Sequence, residues 1–549
     1  MGFLIQLWTR GRGPFMFMAL TGFFIGITFV WLWLDRSPSQ WDDSWYLTNS
    51  LVMYDALAEG GVIGYARRFL TILGTKPPLI TVLPTPFFLL LGRNAHVAYG
   101  INLVFMAVLF AAVFCIGRRY WDTRVGLLAA YITGTMPLLY GLSRWFMTDF
   151  ALAALVSMAI YFLIGSHDFD DLRKTFLLGV TCGMGLLMKV TFPLYVVFPF
   201  VFVLCRRLVR TKRGSASQSS YCSTLLNSML VLALPVIWLA FPWYYLNCRR
   251  AFERIIISGF SDEADYFGTG LVFTLHAMET YLIKLINMGP SVYYVGLLVL
   301  LLSLLIFTGR GRSLRALFPR EAVWVFSLWA LPFLVFLFGH NKDIRFVAPL
   351  LPLFSLVSAP ILGFSLGQQN RWGKALPCLV LAFPMVSLLH VSFRILGNWH
   401  LAVGDFLVAS PQLAYARPYD RRAWPHTEIL KSVCTTTQFS AGEKKWLMVG
   451  TDRPWFNANN LELAAVQAHM PLQITTSAYE RDRSQLLSTL RSMSFFIYKE
   501  GGEPESGFYN QHVSALLQEV REGGSFAELP IHPTVPDGGQ IHVYKNRFR

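Results

Sequence analysis

The segment PFMFMALTGFFIGITFVWLWL, residues 14–34, decides the class of this protein. It carries no charged residue, and its length lies within the roughly 17–25 residues that a helix needs to cross a bilayer. Arg10 and Arg12 precede it, so the positive-inside rule predicts a cytoplasmic N-terminus. No small-residue cleavage site follows it, so we expect a membrane span rather than a cleaved signal peptide.

The composition of the whole chain agrees with this reading. Of its 549 residues, 54% are hydrophobic and only 14% are charged, whereas a soluble chain carries roughly a quarter charged residues. The net charge of +15 does not indicate nucleic-acid binding, because the basic residues fall mainly in short loops between apolar segments. The seven cysteines have no spacing typical of zinc sites or of a disulfide framework. The sequence therefore predicts a polytopic α-helical membrane protein.

Apolar length and loop charge together predict the topology. The eleven predicted spans are residues 14–34, 96–117, 125–142, 150–165, 176–188, 192–205, 224–245, 291–307, 322–338, 347–366 and 375–393. The loops assigned to the cytoplasm contain Arg173 and Lys174, the basic run 206–213, then Arg310, Arg312, Arg315 and Arg320, and finally Arg371 and Lys374. The apolar stretch 79–92 is too short to span and is predicted to lie at the surface. An odd number of spans places the C-terminus outside.

The chain is predicted to have two domains. Residues 1–396 form the transmembrane domain, with an outer loop at 35–95 that contains juxtamembrane helices. Residues 397–549 form a soluble α/β domain outside the membrane. Within it, residues 446–450 and 494–498 read as buried strands, residues 461–469, 483–493 and 513–522 as helices, and residues 540–545 as a closing strand.

Three carboxylates at the predicted outer face are candidates for chemistry. The segment Trp41-Asp42-Asp43-Ser44-Trp45-Tyr46 follows the first span and opens a helical segment that ends at Gly60-Gly61. An N-cap would explain one of the two acidic residues. The other interpretation is a general base, or a group that orients the acceptor. Asp149, at the outer end of the span 150–165, is the third carboxylate, and it too could be a cap.

Several basic residues share the predicted outer face, and two interpretations of them are open. Snorkelling to lipid headgroups explains any one of them, whereas binding of a phosphate explains them as a set. They are Lys76 before Pro77-Pro78, Arg144, Lys189, and Lys342 with Arg345 in one short loop. His340 lies in the same loop, with a structural role and a ligand or acid–base role both open.

In this order, the motifs resemble those of the GT-C glycosyltransferases, and within them the bacterial aminoarabinose transferases and protein O-mannosyltransferases. The matching segments are Asp42-Asp43-Ser44-Trp45-Tyr46, Lys76-Pro77-Pro78-Leu79, Asp149 at the start of a span, Gly185-Leu186-Leu187-Met188-Lys189, and Arg345-Phe346-Val347-Ala348-Pro349-Leu350-Leu351-Pro352. Relatives often have Glu where Asp43 stands and a basic residue where Trp45 stands. The resemblance covers roughly the first 400 residues.

The resemblance implies an inverting glycosyltransferase in a bacterial inner (plasma) membrane. Such an enzyme moves a sugar from a polyprenyl phosphate to a glycolipid, a cell-envelope glycan or a protein. Asp42 and Asp43 would act as base or acceptor-orienting group, Asp149 would be their partner, and Lys76, Arg345, Lys342, Lys189 and Arg144 would bind the donor phosphate. Some members of the family need a divalent metal and others do not, so a metal is left open here, with Asp42, Asp149 and His340 as its candidate ligands.

Two other classes of protein are alternatives to this function. A transporter or lipid flippase would carry ionisable residues in the middle of its spans, and it would show internal repeats. A receptor or structural membrane protein would not need carboxylates and cations gathered at one face. The spans here are nearly free of charge, which favours the transferase.

Overall fold

A computed structural model describes residues 13–212, 218–260, 264, 268, 272–308, 317–366, 375–413, 415–437, 439–440, 442–478, 480, 482–502 and 512–549. The basic residues Arg10, Arg12, Arg213, Arg310, Arg312, Arg315, Arg371 and Lys374, used above for the topology, lie outside them. The contacts within the chain define two compact units. Unit 1 comprises Met1–Leu32, Ala66–Ile80 and Gly100–Pro418, and unit 2 comprises Trp33–Tyr65, Thr81–Tyr99 and Tyr419–Arg549.

The membrane part of the chain is helical. In chain order the helices are α1 (Gly13–Leu34), α2 (Trp41–Thr71), α3 (Leu79–Val82), α4 (Thr85–Leu91), α5 (Ala95–Ala98), α6 (Gly100–Tyr120), α7 (Thr123–Thr135), α8 (Pro137–Leu142), α9 (Thr148–Gly165), α10 (Leu172–Met188), α11 (Phe192–Lys212), α12 (Gln218–Phe260), α13 (Leu275–Met288), α14 (Val292–Phe307), α15 (Arg320–Ala330), α16 (Pro332–Phe338), a 3₁₀ helix (Ile344–Leu350), α17 (Leu351–Leu366) and α18 (Ala375–Phe393). A kink interrupts α2 at Gly61, whose φ is 61°, where the sequence predicted the end of a helix.

Seven stretches of helix in the described residues are long and apolar enough to cross a membrane, or eight if the bent pair α13–α14 forms one broken span. They match the predicted spans that begin at residues 14, 96, 150, 192, 224, 322 and 347, and α14 matches the one that begins at 291. The remaining three correspond to the broken pair α7–α8, to α10 and to α18, which are not among the spans found in the described residues. The multi-pass helical architecture is confirmed, and the count of eleven stays a prediction.

Unit 1 is built around α9. Most of α9 is buried, whereas α1 and α12 expose most of their apolar side chains, as expected for helices that face lipid. The neighbours α6 and α7 approach closely at Gly117 and Gly126, where a Cβ on Gly117 would lie 2.8 Å from the Cα of Gly126. Glycine at this crossing lets the two backbones pack closely.

Unit 2 contains the sheet of the C-terminal region. Its strands are β3 (Lys445–Val449), β4 (Leu472–Thr476), β5 (Phe495–Glu500), β6 (Phe526–Glu528) and β7 (Gln540–Asn546), after a separate hairpin in unit 1 made of β1 (Leu401–Val403) and β2 (Phe406–Ala409). The order is β4-β3-β5-β7-β6, with β4, β3 and β5 parallel and the other pairs antiparallel.

Alternating side chains of this sheet enter two separate cores, as the pleat requires. Leu447 and Val449 pack with helices α19 (His426–Thr435) and α20 (Ala458–Gln467). Met448 packs on the opposite face with α21 (Arg483–Ser492) and α22 (Val513–Glu522). The predicted α/β region is confirmed in class and in its main elements. Residues 397–418, which were predicted to begin this domain, belong to unit 1.

Candidate functional site

Asp149 occupies the first turn of α9, and its carboxylate is almost fully buried. The turn before α9 is fixed by Asn102 of α6, whose Nδ2 donates to the carbonyls of Ser143 at 3.1 Å and Trp145 at 2.8 Å. A carboxylate in the first turn of a helix is stabilised by the unpaired N–H groups and the helix dipole. The fold thus holds a buried negative charge at this end of α9.

Lys189 is the cation that pairs with Asp149. It terminates α10, and its Nζ lies 2.6 Å from Oδ1 of Asp149 and 4.8 Å from the centre of the Phe346 ring. Gly185, one turn earlier, has no Cβ, and the ring of Phe192 takes that space. The Gly-x-x-x-Lys motif therefore has a physical basis, since the glycine admits the aromatic ring and the lysine ends the helix beside Asp149.

A second ion pair joins Asp343 to Arg345. Asp343 caps the 3₁₀ helix by accepting from the backbone N–H of Arg345 at 3.0 Å, and its Oδ2 accepts from the Arg345 side chain at Nε (2.8 Å) and Nη2 (2.6 Å). Burial raises the pKa of Asp343, but the Arg345 guanidinium, helped by Lys189, holds that pKa below its usual value. Asp343 is therefore ionised and fixes the guanidinium plane of Arg345.

Tyr415 completes this group. Its hydroxyl donates to Oδ1 of Asp343 at 3.3 Å, and its ring centre lies 5.7 Å from the Arg345 guanidinium. Burial raises the pKa of Tyr415 well above its ordinary value, so the phenol stays neutral. We call Asp149, Lys189, Asp343, Arg345 and Tyr415 the Asp149 cluster. Three of its five members were predicted from the sequence.

The sequence patterns did not predict Asp343 or Tyr415 as site residues, for different reasons. Asp343 stands two residues before Arg345, the spacing of a cap that also reaches the neighbouring side chain, and this signal was available. Tyr415 lies in an irregular loop, where Trp145 donates from Nε1 to its carbonyl at 3.0 Å. Nothing local in the sequence indicates that a loop residue returns to Arg345 across the chain.

The other predicted cations have different surroundings within unit 1. Lys342 is buried, and its ammonium donates to the carbonyls of Phe336, at 3.2 Å, and Leu337, at the end of α16. Burial lowers its pKa. Cations favour the C-terminal end of a helix because of its dipole, so this geometry ties Lys342 to α16. Lys76 is partly buried before Pro77, and His340 is partly buried after α16.

Arg144 is buried among aromatic rings. Its Nη2 donates to Oγ of Ser392 at 2.6 Å, and its guanidinium lies 5.1 Å from the ring centre of Trp31 and 5.2 Å from that of Tyr140. A guanidinium over aromatic faces gains cation–π stabilisation. These contacts join α1, α8 and α18, which is a packing function, and a role for Arg144 in phosphate binding stays a prediction.

Asp42 and Asp43 belong to unit 2, where α2 begins at Trp41 and places both in its first turn. Asp43 is buried and accepts from the hydroxyl of Tyr99 at 3.0 and 2.9 Å. Asp42 is only partly buried. Of the two carboxylates, Asp43 is committed to an internal hydrogen bond, and Asp42 is the more exposed to solvent.

The C-terminal region holds the start of α2 in place. Trp41 donates from Nε1 to Oδ1 of Asp452 at 2.8 Å, and Asn459 donates from Nδ2 to the Trp41 carbonyl at 3.1 Å. Asn460 donates from Nδ2 to Oγ of Ser44 at 3.2 Å. These bonds join residues more than four hundred positions apart, so the turn that carries Asp42 and Asp43 depends on the tail.

A metal site at the predicted residues stays a prediction. Among the described residues, the imidazole and carboxylate groups that lie close enough to share one ion are Glu528, His532 and His542. That group contains none of Asp42, Asp149 and His340.

Comparison with known proteins supports the predicted fold. Residues 75–238 match the model of the family described as dolichyl-phosphate-mannose-protein mannosyltransferase. This segment contains Lys76, Arg144, Asp149 and Lys189. A search of curated proteins by sequence finds no match.

Solved structures match over almost the whole chain. ArnT from Cupriavidus metallidurans, bound to undecaprenyl phosphate, is 14% identical, with a TM-score of 0.56 over 96% of this chain and 98% of its own. The same protein in the apo state matches with a TM-score of 0.56 at 13% identity, over 95% and 97% of the two chains. AglB, the oligosaccharyltransferase from Archaeoglobus fulgidus, in complex with an inhibitory peptide and a dolichol-phosphate, is 10% identical, with a TM-score of 0.51 over 89% of this chain and 70% of its own.

The predicted resemblance is therefore confirmed: this chain is a multi-pass membrane protein with the fold of the GT-C glycosyltransferases ArnT and AglB, and its residues 75–238 match a mannosyltransferase family.

Proposed function

We propose that this protein is an inverting glycosyltransferase that moves a sugar from a polyprenyl-phosphate donor to an acceptor at the outer face of the membrane. The observation that carries the proposal is the Asp149 cluster, in which two buried carboxylates hold two partly buried cations beside a neutral phenol. The acceptor is a glycolipid, a cell-envelope glycan or a protein.

The cations of the Asp149 cluster suit the leaving phosphate. When the bond between the anomeric carbon and the phosphate oxygen breaks, both electrons go to that oxygen, and fixed cations stabilise the charge that develops there. Arg345 offers a planar fork that Asp343 has already oriented, and Lys189 offers a point charge that Asp149 positions. Lys76 is proposed as a further phosphate ligand, with Lys342 and Arg144 as weaker candidates because of their internal contacts.

Both of the structural relatives support a polyprenyl-phosphate donor. ArnT is bound to undecaprenyl phosphate, and AglB is in complex with a dolichol-phosphate. The two lipids share a phosphate on a long polyprenyl chain. A donor of this class presents its anionic head at the membrane surface, where the proposed phosphate ligands are predicted to lie.

Asp42 is proposed as the general base. The acceptor's oxygen or nitrogen forms the new bond to the anomeric carbon, and its proton passes to the Asp42 carboxylate. Asp43 is the weaker candidate because it accepts from Tyr99. Asp149 acts indirectly by holding Lys189. A divalent metal at these carboxylates is compatible with the proposal and is not required by it.

The proposed location is a bacterial inner membrane, with the N-terminus in the cytoplasm and the C-terminal region outside. The seven or eight candidate spans among the described residues support insertion in a membrane, and the sidedness rests on the basic loops.

The test is mass spectrometry of glycolipids and surface glycans from cells with the chain, without it, and with Asp42→Asn. We expect a sugar modification that depends on the wild-type chain and falls by about 10²–10⁴-fold in the variant, the usual contribution of general-base catalysis. Asp55→Asn is the matched control, because Asp55 lies on α2 but pairs with Arg93 at 2.6 Å.

Two outcomes would contradict the proposal. One is an unchanged set of glycans in cells that lack the chain. The other is transfer by the purified protein from a nucleotide sugar with no polyprenyl phosphate present. If Asp42→Asn keeps full turnover while Asp43→Asn loses it, the base is Asp43 and the rest of the proposal stands.

A further inference from the structure

Three potential metal ligands gather on one edge of the sheet in unit 2. His542 lies on β7, Glu528 ends the edge strand β6, and His532 follows it. In the register, Glu528 stands opposite Tyr544, and Tyr498 stands opposite His542. Glu528 is therefore a diagonal cross-strand neighbour of His542, within reach of its side chain.

The ligand atoms already lie close together. Nδ1 of His542 is 2.7 Å from Oε1 of Glu528, and Nδ1 of His532 is 3.8 Å from the same oxygen. The ligand atoms of all three side chains lie within 4.8 Å of one another. Zinc binds imidazole nitrogen and carboxylate oxygen at about 2.0–2.2 Å, so small side-chain rotations would bring all three to one ion.

A second carboxylate stands behind His542. Oε2 of Glu500 lies 3.6 Å from Nε2 of His542, and Arg521 of α22 pairs with the same oxygen at 3.4 Å. A histidine that binds a metal usually donates its other ring N–H to a carboxylate, which fixes the tautomer and the ring orientation. Glu500 is placed for this role, and Arg521 holds Glu500 in turn.

We propose that Glu528, His532 and His542 bind a divalent transition-metal ion, with Zn²⁺ as the best match, and that Glu500 orients His542. Two imidazoles and a carboxylate form a ligand set that zinc accepts, with a water in the fourth position. The bound ion would tie the edge strand β6 and the loop after it to β7. The competing explanation is a surface His–Glu ion pair that binds no metal.

The experiment is a Zn²⁺ titration of the purified full-length chain without a histidine tag, measured by calorimetry. A parallel titration with Co²⁺ is measured by visible absorption. We expect one site per chain in the wild type and no detectable site in His532→Asn or His542→Asn. Glu500→Gln should weaken binding by roughly 10–100-fold, as removal of an outer-shell partner does. Zn²⁺ should also raise the melting temperature of the wild type, and should leave that of His532→Asn and His542→Asn unchanged.

The matched control is His469→Asn, an exposed histidine in the same unit. His469 has a φ of 51°, a conformation that asparagine tolerates. The His469→Asn protein should therefore bind Zn²⁺ as the wild type does. Absence of a stoichiometric site in the wild type, or equal binding in His542→Asn and the wild type, would overturn the proposal. If His542→Asn fails to fold, Glu528→Gln on the exposed edge replaces it, with the same expected loss. None of these readouts depends on glycosyl transfer.

Discussion

Acidic and basic residues cluster at both ends of the helices α9, α10 and α11. The two clusters differ in how their ion pairs are connected. At the Thr148 end lies the Asp149 cluster. At the Gly165 end, Asp168 and Asp170 pair with arginines of α11, a set that we call the Asp168 cluster. Its arginines are Arg206, Arg207 and Arg210. Both contain buried Asp with Lys or Arg, so residue type alone does not separate them.

The number of partners per carboxylate separates them. Asp168 bonds to Arg206 and Arg210, and Asp170 bonds to Arg207 and Arg210. In the Asp149 cluster, Asp149 and Asp343 each form one ion pair among the described residues. Aromatic rings do not separate the clusters, because Phe346 lies beside Lys189 and Tyr415 beside Arg345, and Phe202 lies beside Arg206. A network in which each carboxylate binds two arginines suits a structural connection, whereas carboxylates that each hold one cation suit a site that receives an anion.

The backbone explains why the Asp168 cluster is cross-linked. His167, Asp168 and Phe169 have φ values of 53°, 60° and 67°, and left-handed backbone costs roughly 1–2 kcal/mol per non-glycine residue. Arg207 donates to the Asp168 carbonyl at 2.6 Å. The arginines therefore stabilise a strained turn between α9 and α10, which is a structural role.

The largest expected effect is on catalysis at the Thr148 end. Arg345→Lys keeps the charge but loses the fork, and we expect turnover to fall by about 10²–10³-fold, as when a donor to a developing oxyanion is removed. In Arg345→Ala, turnover should fall further. This variant should also destabilise the fold, because Asp343 would stay buried without its ion-pair partner. The measurement is the rate of glycan modification per folded molecule.

The same exchange at the other end is the control. Arg210→Lys should leave turnover unchanged, since Arg210 is more than half exposed and belongs to the Asp168 cluster. Full turnover in Arg345→Lys together with loss of turnover in Arg210→Lys would assign the catalytic role to the Asp168 cluster instead.

A smaller effect is expected on stability at the Gly165 end. Arg207 is almost fully buried and bonds to both the Asp168 carbonyl and the Asp170 carboxylate. Arg207→Met should lower the free energy of unfolding by about 1.5–3 kcal/mol, the range for hydrogen bonds to charged groups. Denaturant unfolding in detergent measures it. Arg210→Met, at the exposed position, should cost less than about 1 kcal/mol. Equal losses would mean that burial does not set the strength of this cluster.

The sequence predicted more of the fold than of the site. Apolar length and the alternation of residues 540–545 predicted helices and strands because both patterns are local. The site needs distant residues: Tyr415 reaches Arg345, Asn460 reaches Ser44, and Tyr99 reaches Asp43. The order of the motifs predicted both Asp149 and Lys189. Spacing alone could not show that Lys342 binds the end of a helix, whereas Arg345 forms an ion pair.

The smallest effect is on the pH dependence of stability, and it compares one carboxylate from each cluster. Burial raises the pKa of Asp170, but its bonds to Arg210 and Arg207 outweigh burial and hold the pKa below its usual value. The pKa of Asp343 is lowered in the same way by Arg345.

A carboxylate with a lowered pKa in the folded state stabilises the fold. This contribution is complete above the pKa of the unfolded state, about 3.9, and it is lost as the pH falls through the pKa of the folded state. The ion pairs of Asp170 and Asp343 should therefore weaken only below about pH 4. Asp170 is nearly half exposed, so Asp170→Asn should remove less than about 1 kcal/mol of this dependence, whereas Asp343→Asn, at a buried position, should remove more. Thermal unfolding between pH 7 and pH 3 measures both, and a larger change for Asp170→Asn would show that the Asp168 cluster, rather than the candidate site, holds the stronger ion pair.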